Sequence, residues 1–105
     1  MKSLVAIFRD LSSFRIEYRT HATRRMFQRG IMAVDVEGVV REGEIVEVYK
    51  DDYPLPSFLL KGQTVVKQPL HVVVGVNAGE KVLVIITAYI PDQGLWTNDF
   101  TRRKV

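Results

Sequence analysis

The chain has 105 residues, 47% of them hydrophobic and 26% charged, with 15 Lys/Arg against 12 Asp/Glu. That is the balance of a single globular domain with one core, which excludes a disordered polyelectrolyte and leaves no room for a second core. Cysteine is absent, which excludes disulfides and thiolate metal sites and leads us to expect a cytoplasmic setting.

The apolar run after Lys2 extends only from Leu4 to Phe8, too short for a signal-peptide core or a membrane span, so no membrane association is expected. Charge is unevenly spread. Residues 1–41 carry eight Lys/Arg against four Asp/Glu, residues 42–100 carry four against eight, and Arg102, Arg103 and Lys104 follow. Basic surface at both ends suits a phosphate-bearing partner if the fold brings the ends together. Two solvated basic surfaces are the plainer alternative.

Leu4, Ile7, Phe8, Leu11 and Phe14 recur at three- and four-residue spacing, which predicts an amphipathic helix over 3–14, with a strand as the alternative. Ile16 to Arg19 reads as a short extended lead-in. Thr20 is placed to cap a helix that Gly30 ends in the left-handed conformation. On that helix Arg24, Gln28, His21, Arg25 and Arg29 share one face, with Ala22, Met26 and Phe27 opposite. A further helix is expected from about Met32 to Glu42, burying Ala33, Val36, Val39 and Val40. It lacks a capping oxygen at Met32, and Gly38 costs it about 1 kcal/mol relative to Ala.

The period then changes to that of strands: Ile45–Tyr49, Phe58–Lys61, Leu70–Val76 and Lys81–Ile90, with Val65 and Val66 as a brief extension of the sheet. Asn77 to Glu80 forms a hairpin loop, and Pro91 ends the last strand. The expected fold class is α+β, with two to three N-terminal helices packed on one face of a four-stranded, mainly antiparallel sheet. Alternation assigns Leu70, Val72, Val74 and Val76, with Val82, Val84, Ile86, Ala88 and Ile90, to the helix side. His71, Thr87 and Tyr89 then face the other way, with Val72 opposite Ile85 and His71 near Ile86 or Thr87.

No metal-ligand spacing, Lys-Ser/Thr phosphate loop or nucleophile elbow occurs, so neither a metal nor a cofactor is expected. Metal-independent cleavage of RNA fits what remains. It needs a base for the 2′-hydroxyl, cations for the charged phosphorane and an acid for the leaving oxygen. The candidates are His71 as base or acid, Tyr89 as hydrogen-bond donor or stacking surface, and Arg24, Arg25 and Arg29 as phosphate ligands. Each also has a structural reading. His21 opens a helix, where the dipole disfavours its protonation. His71 can donate to a backbone carbonyl, surface arginines can pair with carboxylates, and Tyr89 and Trp96 can simply fill space.

Thr20-His21-Ala22, Arg25-Met26, Arg29-Gly30-Ile31, Gly43-Glu44-Ile45 and Tyr49 form an ordered series. It continues through Pro69-Leu70-His71-Val72-Val73, Thr87-Ala88-Tyr89-Ile90-Pro91-Asp92, Trp96, Phe100 and Arg102-Arg103. By this series the chain resembles the bacterial and archaeal family called domain of unknown function 4258, over about Ile16 to Lys104. Residues 1–15 then form an N-terminal extension to a single domain, residues 16–104. The resemblance implies likeness to RelE-like and MqsR-like toxins, small α+β ribonucleases often encoded beside an antitoxin. It marks His21, Arg25, Arg29, His71, Thr87 and Tyr89 as site residues. Arg24 on the helix face and Arg102 and Arg103 in the basic tail are further candidate phosphate contacts by their charge. The expected function is a toxin-like, metal-independent endoribonuclease neutralised by an antitoxin protein. The alternative is a non-catalytic RNA- or protein-binding module. A homodimer through the Leu4-Ile7-Leu11 stripe of residues 3–14 is a further expectation.

Overall fold

The computed structural model describes residues 2–104. Where one helix was expected over 3–14, there is a short helix α1, Leu4–Ile7, and a separate 3-10 turn, Leu11–Ser13. Asp10 explains the break. Its side chain accepts from Ser12 Oγ at 2.7 Å and its carbonyl from Ser13 Oγ at 2.8 Å, local bonds that compete with helix. The apolar spacing still serves the core. Leu4 is fully buried, Phe8, Leu11 and Phe14 pack on the core, and Phe8 meets Phe58 edge-on with ring centroids 6.1 Å apart. The Leu4-Ile7-Leu11 stripe is thus largely used inside the protomer, with Ile7 left exposed.

The extended lead-in is a strand, β1, Arg15–Tyr18. Helix α2 spans Thr20–Arg29 and α3 spans Ala33–Glu42. Four further strands follow: β2 Glu44–Tyr49, β3 Ser57–Gln63, β4 Pro69–Asn77 and β5 Val82–Tyr89. The sheet therefore has five strands, in the order β1-β5-β4-β3-β2, and is mixed because β1 runs parallel to β5. The expected four-stranded sheet missed β1, whose partner lies far along the chain. Val65 and Val66 do not extend the sheet. They form the exposed β3–β4 turn, closed by Thr64 N–H to Gln68 O and Lys67 N–H to Thr64 O.

Thr20 is the first helical residue of α2 rather than its cap; Arg19 holds that place without a side-chain bond. Gly30 ends the helix as expected, at φ 68°. Phe27, expected inward, is 89% exposed. At about 100° per residue the buried Ala22 and Met26 lie about 40° apart, Phe27 lies about 100° beyond Met26, and Arg29 falls beside Ala22. That inner position lets Arg29 Nη1 donate to Ala88 O at 2.8 Å, fastening α2 to β5.

Helix α3 buries Val36, Val39 and Val40, while Ala33, expected inside, is exposed. Its missing N-cap oxygen is supplied from within. The buried Asp35 carboxylate accepts from Met32 N–H at 2.9 Å and from Val65 N–H at 2.8 Å, tying the helix start to the β3–β4 turn. At its end, a Cβ on Gly43 would sit 2.5 Å from Val39 O and 2.7 Å from Lys61 O, so only glycine permits this approach to β3.

Two strands contain a bulge, β2 at Val46 and β5. In β5, Val73 pairs with Thr87 and Val74 with Ile85, leaving Ile86 as the extra residue. The hairpin begins at Asn77–Val82 with Lys81 at φ 54°, so His71 pairs with Tyr89 and Val72 with Ala88, further along than expected. The bulge also overturns the assignment of faces. Leu83, Ile85 and Ala88 reach the helix-side core with Leu70, Val72, Val74 and Val76, whereas Val84 and Ile86 line a cavity on the opposite face. Residues 92–104 fold back over that opposite face. Trp96 bridges to Arg103, and Trp96 and Phe100 form a second apolar cluster with Leu59, Val73, Val46 and Tyr49.

Candidate functional site

Alternation on adjacent strands brings polar side chains together on the face away from the helices. Glu47 pairs with Leu59 and Tyr49 with Ser57 across β2–β3; Lys61 pairs with His71 and Tyr89 with His71 across β3–β4–β5. The C-terminal segment then seals His71 from solvent. Its imidazole stands edge-on to Trp96, ring centroids 4.6 Å apart, and to Tyr89 at 5.3 Å.

The protons on His71 are set by its neighbours. Nε2 lies 2.8 Å from Phe100 O, and a carbonyl only accepts, so Nε2 carries the hydrogen. Nδ1 then presents a lone pair, which accepts from the Tyr89 hydroxyl at 3.2 Å. The ring is neutral in this arrangement. Burial pushes the His71 pKa below the ordinary imidazole range, opposed by the Phe100 carbonyl and the Glu47 carboxylate and reinforced by Arg103 and Lys61. Burial likewise raises the Tyr89 phenol above its usual value, with Arg103 acting against it.

Beside this pair lies a charged one. Arg103 donates from Nε and Nη2 to Glu47 at 3.2 and 3.3 Å, and Tyr49 donates its hydroxyl to the same carboxylate. Burial works to raise the Glu47 pKa, but the bonds from Tyr49 and Arg103 outweigh it and hold the carboxyl below its usual range. The Arg103 guanidinium also lies 4.7 Å from the centre of the Trp96 ring. A continuous chain of contacts therefore runs from Tyr49 and Glu47 through Arg103 and Trp96 to His71 and Tyr89.

The expected site residues are divided by the sheet. His71, Tyr89 and Arg103 belong to one network, and half-buried Thr87 pairs with Val73 next to it. Arg102 is exposed nearby, lining a cavity of about 560 Å³ with Lys61 and Asp99. His21, Arg24 and Arg25 are exposed on α2, which packs on the helix side of β5, and make no ion pair among the described residues. Arg29 is held by Ala88 O, next to Tyr89 in sequence but reached from the helix side. Glu47 was missed as a site residue, although its position two residues before Tyr49 on a strand signals a shared face. The Phe100 carbonyl had no signal, because it arises from a fold-back without a periodic pattern.

Among the described residues no group of three His, Asp or Glu is placed to hold a metal ion, and no helix is long and apolar enough to cross a membrane. Residues 18–90 match the family described as Domain of unknown function (DUF4258). The match includes His21, Arg24, Arg25, Arg29, His71, Thr87 and Tyr89, and stops before Trp96, Phe100, Arg102 and Arg103. No curated protein and no solved structure matches the chain. With most of its length inside that match, the chain belongs to the DUF4258 family.

Proposed function

We propose that the protein is a metal-independent endoribonuclease of the RelE-like and MqsR-like toxin kind, held in check by a cognate antitoxin in the cytoplasm, with its chemistry at Tyr89. The supporting observation is the ordered relay from Tyr89 through His71 to the Phe100 carbonyl. In the proposed step the Tyr89 oxygen accepts the proton of an RNA 2′-hydroxyl as its own proton passes to His71 Nδ1. The 2′-oxygen bonds to the adjacent phosphorus, the bond to the 5′-oxygen breaks, and that oxygen takes a proton from a water molecule. The resulting hydroxide takes up the proton released from His71 through Tyr89 and restores the starting state. The products are a 2′,3′-cyclic phosphate and a free 5′-hydroxyl. Arg103 uses two N–H donors on Glu47 and has others for the phosphorane, and Arg102 adds charge nearby.

The test is expression without a partner, followed by purified protein incubated with a broad set of RNAs. Cleavage leaving cyclic phosphate ends is expected, and Tyr89→Phe should reduce it by about 100-fold or more. Intact RNA with folded protein would remove the catalytic reading.

A second reading, a non-catalytic RNA- or protein-binding module, is favoured by one observation. His71 is fully buried with both ring nitrogens occupied, as a residue anchoring the C-terminal segment would be. Such a module binds RNA with steep salt dependence, or a protein with little, and leaves the RNA whole.

A further inference from the structure

The face that carries Tyr89 is only partly covered. Residues 92–104 shield its His71–Leu59 side, while the Gly75–Val84 end opens into a cavity of about 430 Å³. Gly75, Val84 and Ile86 line it from the sheet, Leu55 and Tyr53 from the β2–β3 connection, and Arg19 from the chain just after β1. The cavity is held in shape. Asp52, which also lines it, accepts from the buried Ser57 Oγ at 2.5 Å, and Val76 N–H donates to Pro56 O at 2.9 Å, so both ends of the connection are fastened.

Its chemistry is that of a flat, partly apolar ligand with an anionic neighbour. Tyr53 is 95% exposed, an aromatic surface with nothing of its own chain covering it. Arg19 is exposed and makes no ion pair among the described residues. The bond to Ser57 partly occupies the Asp52 carboxylate, the one acidic group at the rim among the described residues. Gly75 lies four residues after His71 on the same strand, about 13 Å away at the rise of a strand, so a short single strand can span from the cavity to Tyr89.

We infer that this cavity takes a nucleobase of single-stranded RNA, stacked on Tyr53 above Gly75 and Ile86, with the Arg19 guanidinium on an adjoining phosphate. The inference rests on the RNA reading of the neighbouring site and supplies it with a binding subsite. Stacking on one aromatic ring plus one phosphate contact is the usual unit of single-strand recognition.

The test uses the full chain carrying Tyr89→Phe, so that RNA is not consumed, and a mixed-sequence hexaribonucleotide read by fluorescence anisotropy. Tyr53→Ala and Arg19→Ala should each weaken binding about tenfold, and Arg19→Ala should lower the salt slope by about one ion. Gly75→Ala provides a variant inside the cavity that keeps the fold, because its Cβ would meet Ile86 at 3.4 Å and Leu55 at 3.5 Å, ordinary contact distances. It should weaken the hexamer while an abasic hexamer of equal charge binds weakly to every form. Unchanged affinity in Tyr53→Ala and Arg19→Ala, or equal affinity for the abasic hexamer, overturns the inference and leaves the cleavage reading standing. Tyr53-dependent binding by an unmodified protein that never cuts the hexamer supports the subsite and overturns the cleavage reading. A wild-type chain that binds no hexamer overturns both.

Discussion

Tyr89 donates its hydroxyl hydrogen to Nδ1 of His71, while the opposite nitrogen of the same ring donates to the carbonyl of Phe100. This joins the last strand, the strand beside it and the C-terminal fold-back through one imidazole. Tyr89→Phe removes the first donor and leaves a buried nitrogen unpaired. Unfolding by urea should show a loss of about 1–3 kcal/mol, with the circular dichroism of the folded state retained.

The same ring makes stability depend on pH. Burial depresses the folded-state pKa of His71 below its unfolded value of about 6.5. The unfolded chain therefore binds the proton first as pH falls. The stability contributed by neutral His71 is complete above about pH 6.5 and is lost as pH drops through the unfolded value towards the lower folded one. The urea midpoint should fall between pH 7.5 and 5.5, and His71→Gln should flatten that part of the profile. Trp96, the single tryptophan, stands against the ring, so its fluorescence follows the same transition.

The arginines of α2 should separate by function. Arg29→Ala loses a bond to the main chain of β5 and should cost about 1 kcal/mol of stability. Arg24→Ala and Arg25→Ala should change stability by less than about 0.5 kcal/mol. Thermal unfolding of the three variants side by side checks the split.

Two glycines bracket the tolerance of α3. Gly43→Ala forces a Cβ against two carbonyl oxygens and should destabilise by about 1–3 kcal/mol. Gly38→Ala, where an added Cβ meets nothing within 4 Å, should instead stabilise by up to about 1 kcal/mol through helix propensity. Denaturant midpoints of opposite sign are the expected outcome.

The elements governed by local chemistry could be read in advance. Gly30 ends α2, the apolar periodicity marks α3, and β4 and β5 emerge as a hairpin pair. What depended on distant partners was hidden. Arg15 to Tyr18 is an unremarkable alternating tetrad until β5 lies beside it, and the run from Leu4 to Phe14 looks like one helix until Asp10 bonds to its own neighbours. The site was half visible. His71 and Tyr89 share a face by simple alternation, but the Phe100 carbonyl, the Glu47–Arg103 pair and the division of the arginines by the sheet all require the folded chain.

The extra residue at Ile86 has a consequence for how the site could be gained or lost. A strand of constant phase can send Leu83 and Ile85 towards the helices or set Tyr89 against His71, but it cannot do both. The bulge lets one strand carry two messages, a packing one before Ile86 and a polar one after it. Deleting Ile86 would leave Val74–Ile85, Val73–Thr87 and His71–Tyr89 paired as they are. Keeping Ile86 and straightening the strand would instead turn Tyr89 into the core and bring Ala88 to the imidazole without altering any polar side chain. Within such a fold, the presence of the bulge rather than the length of the strand acts as an on–off setting for the site.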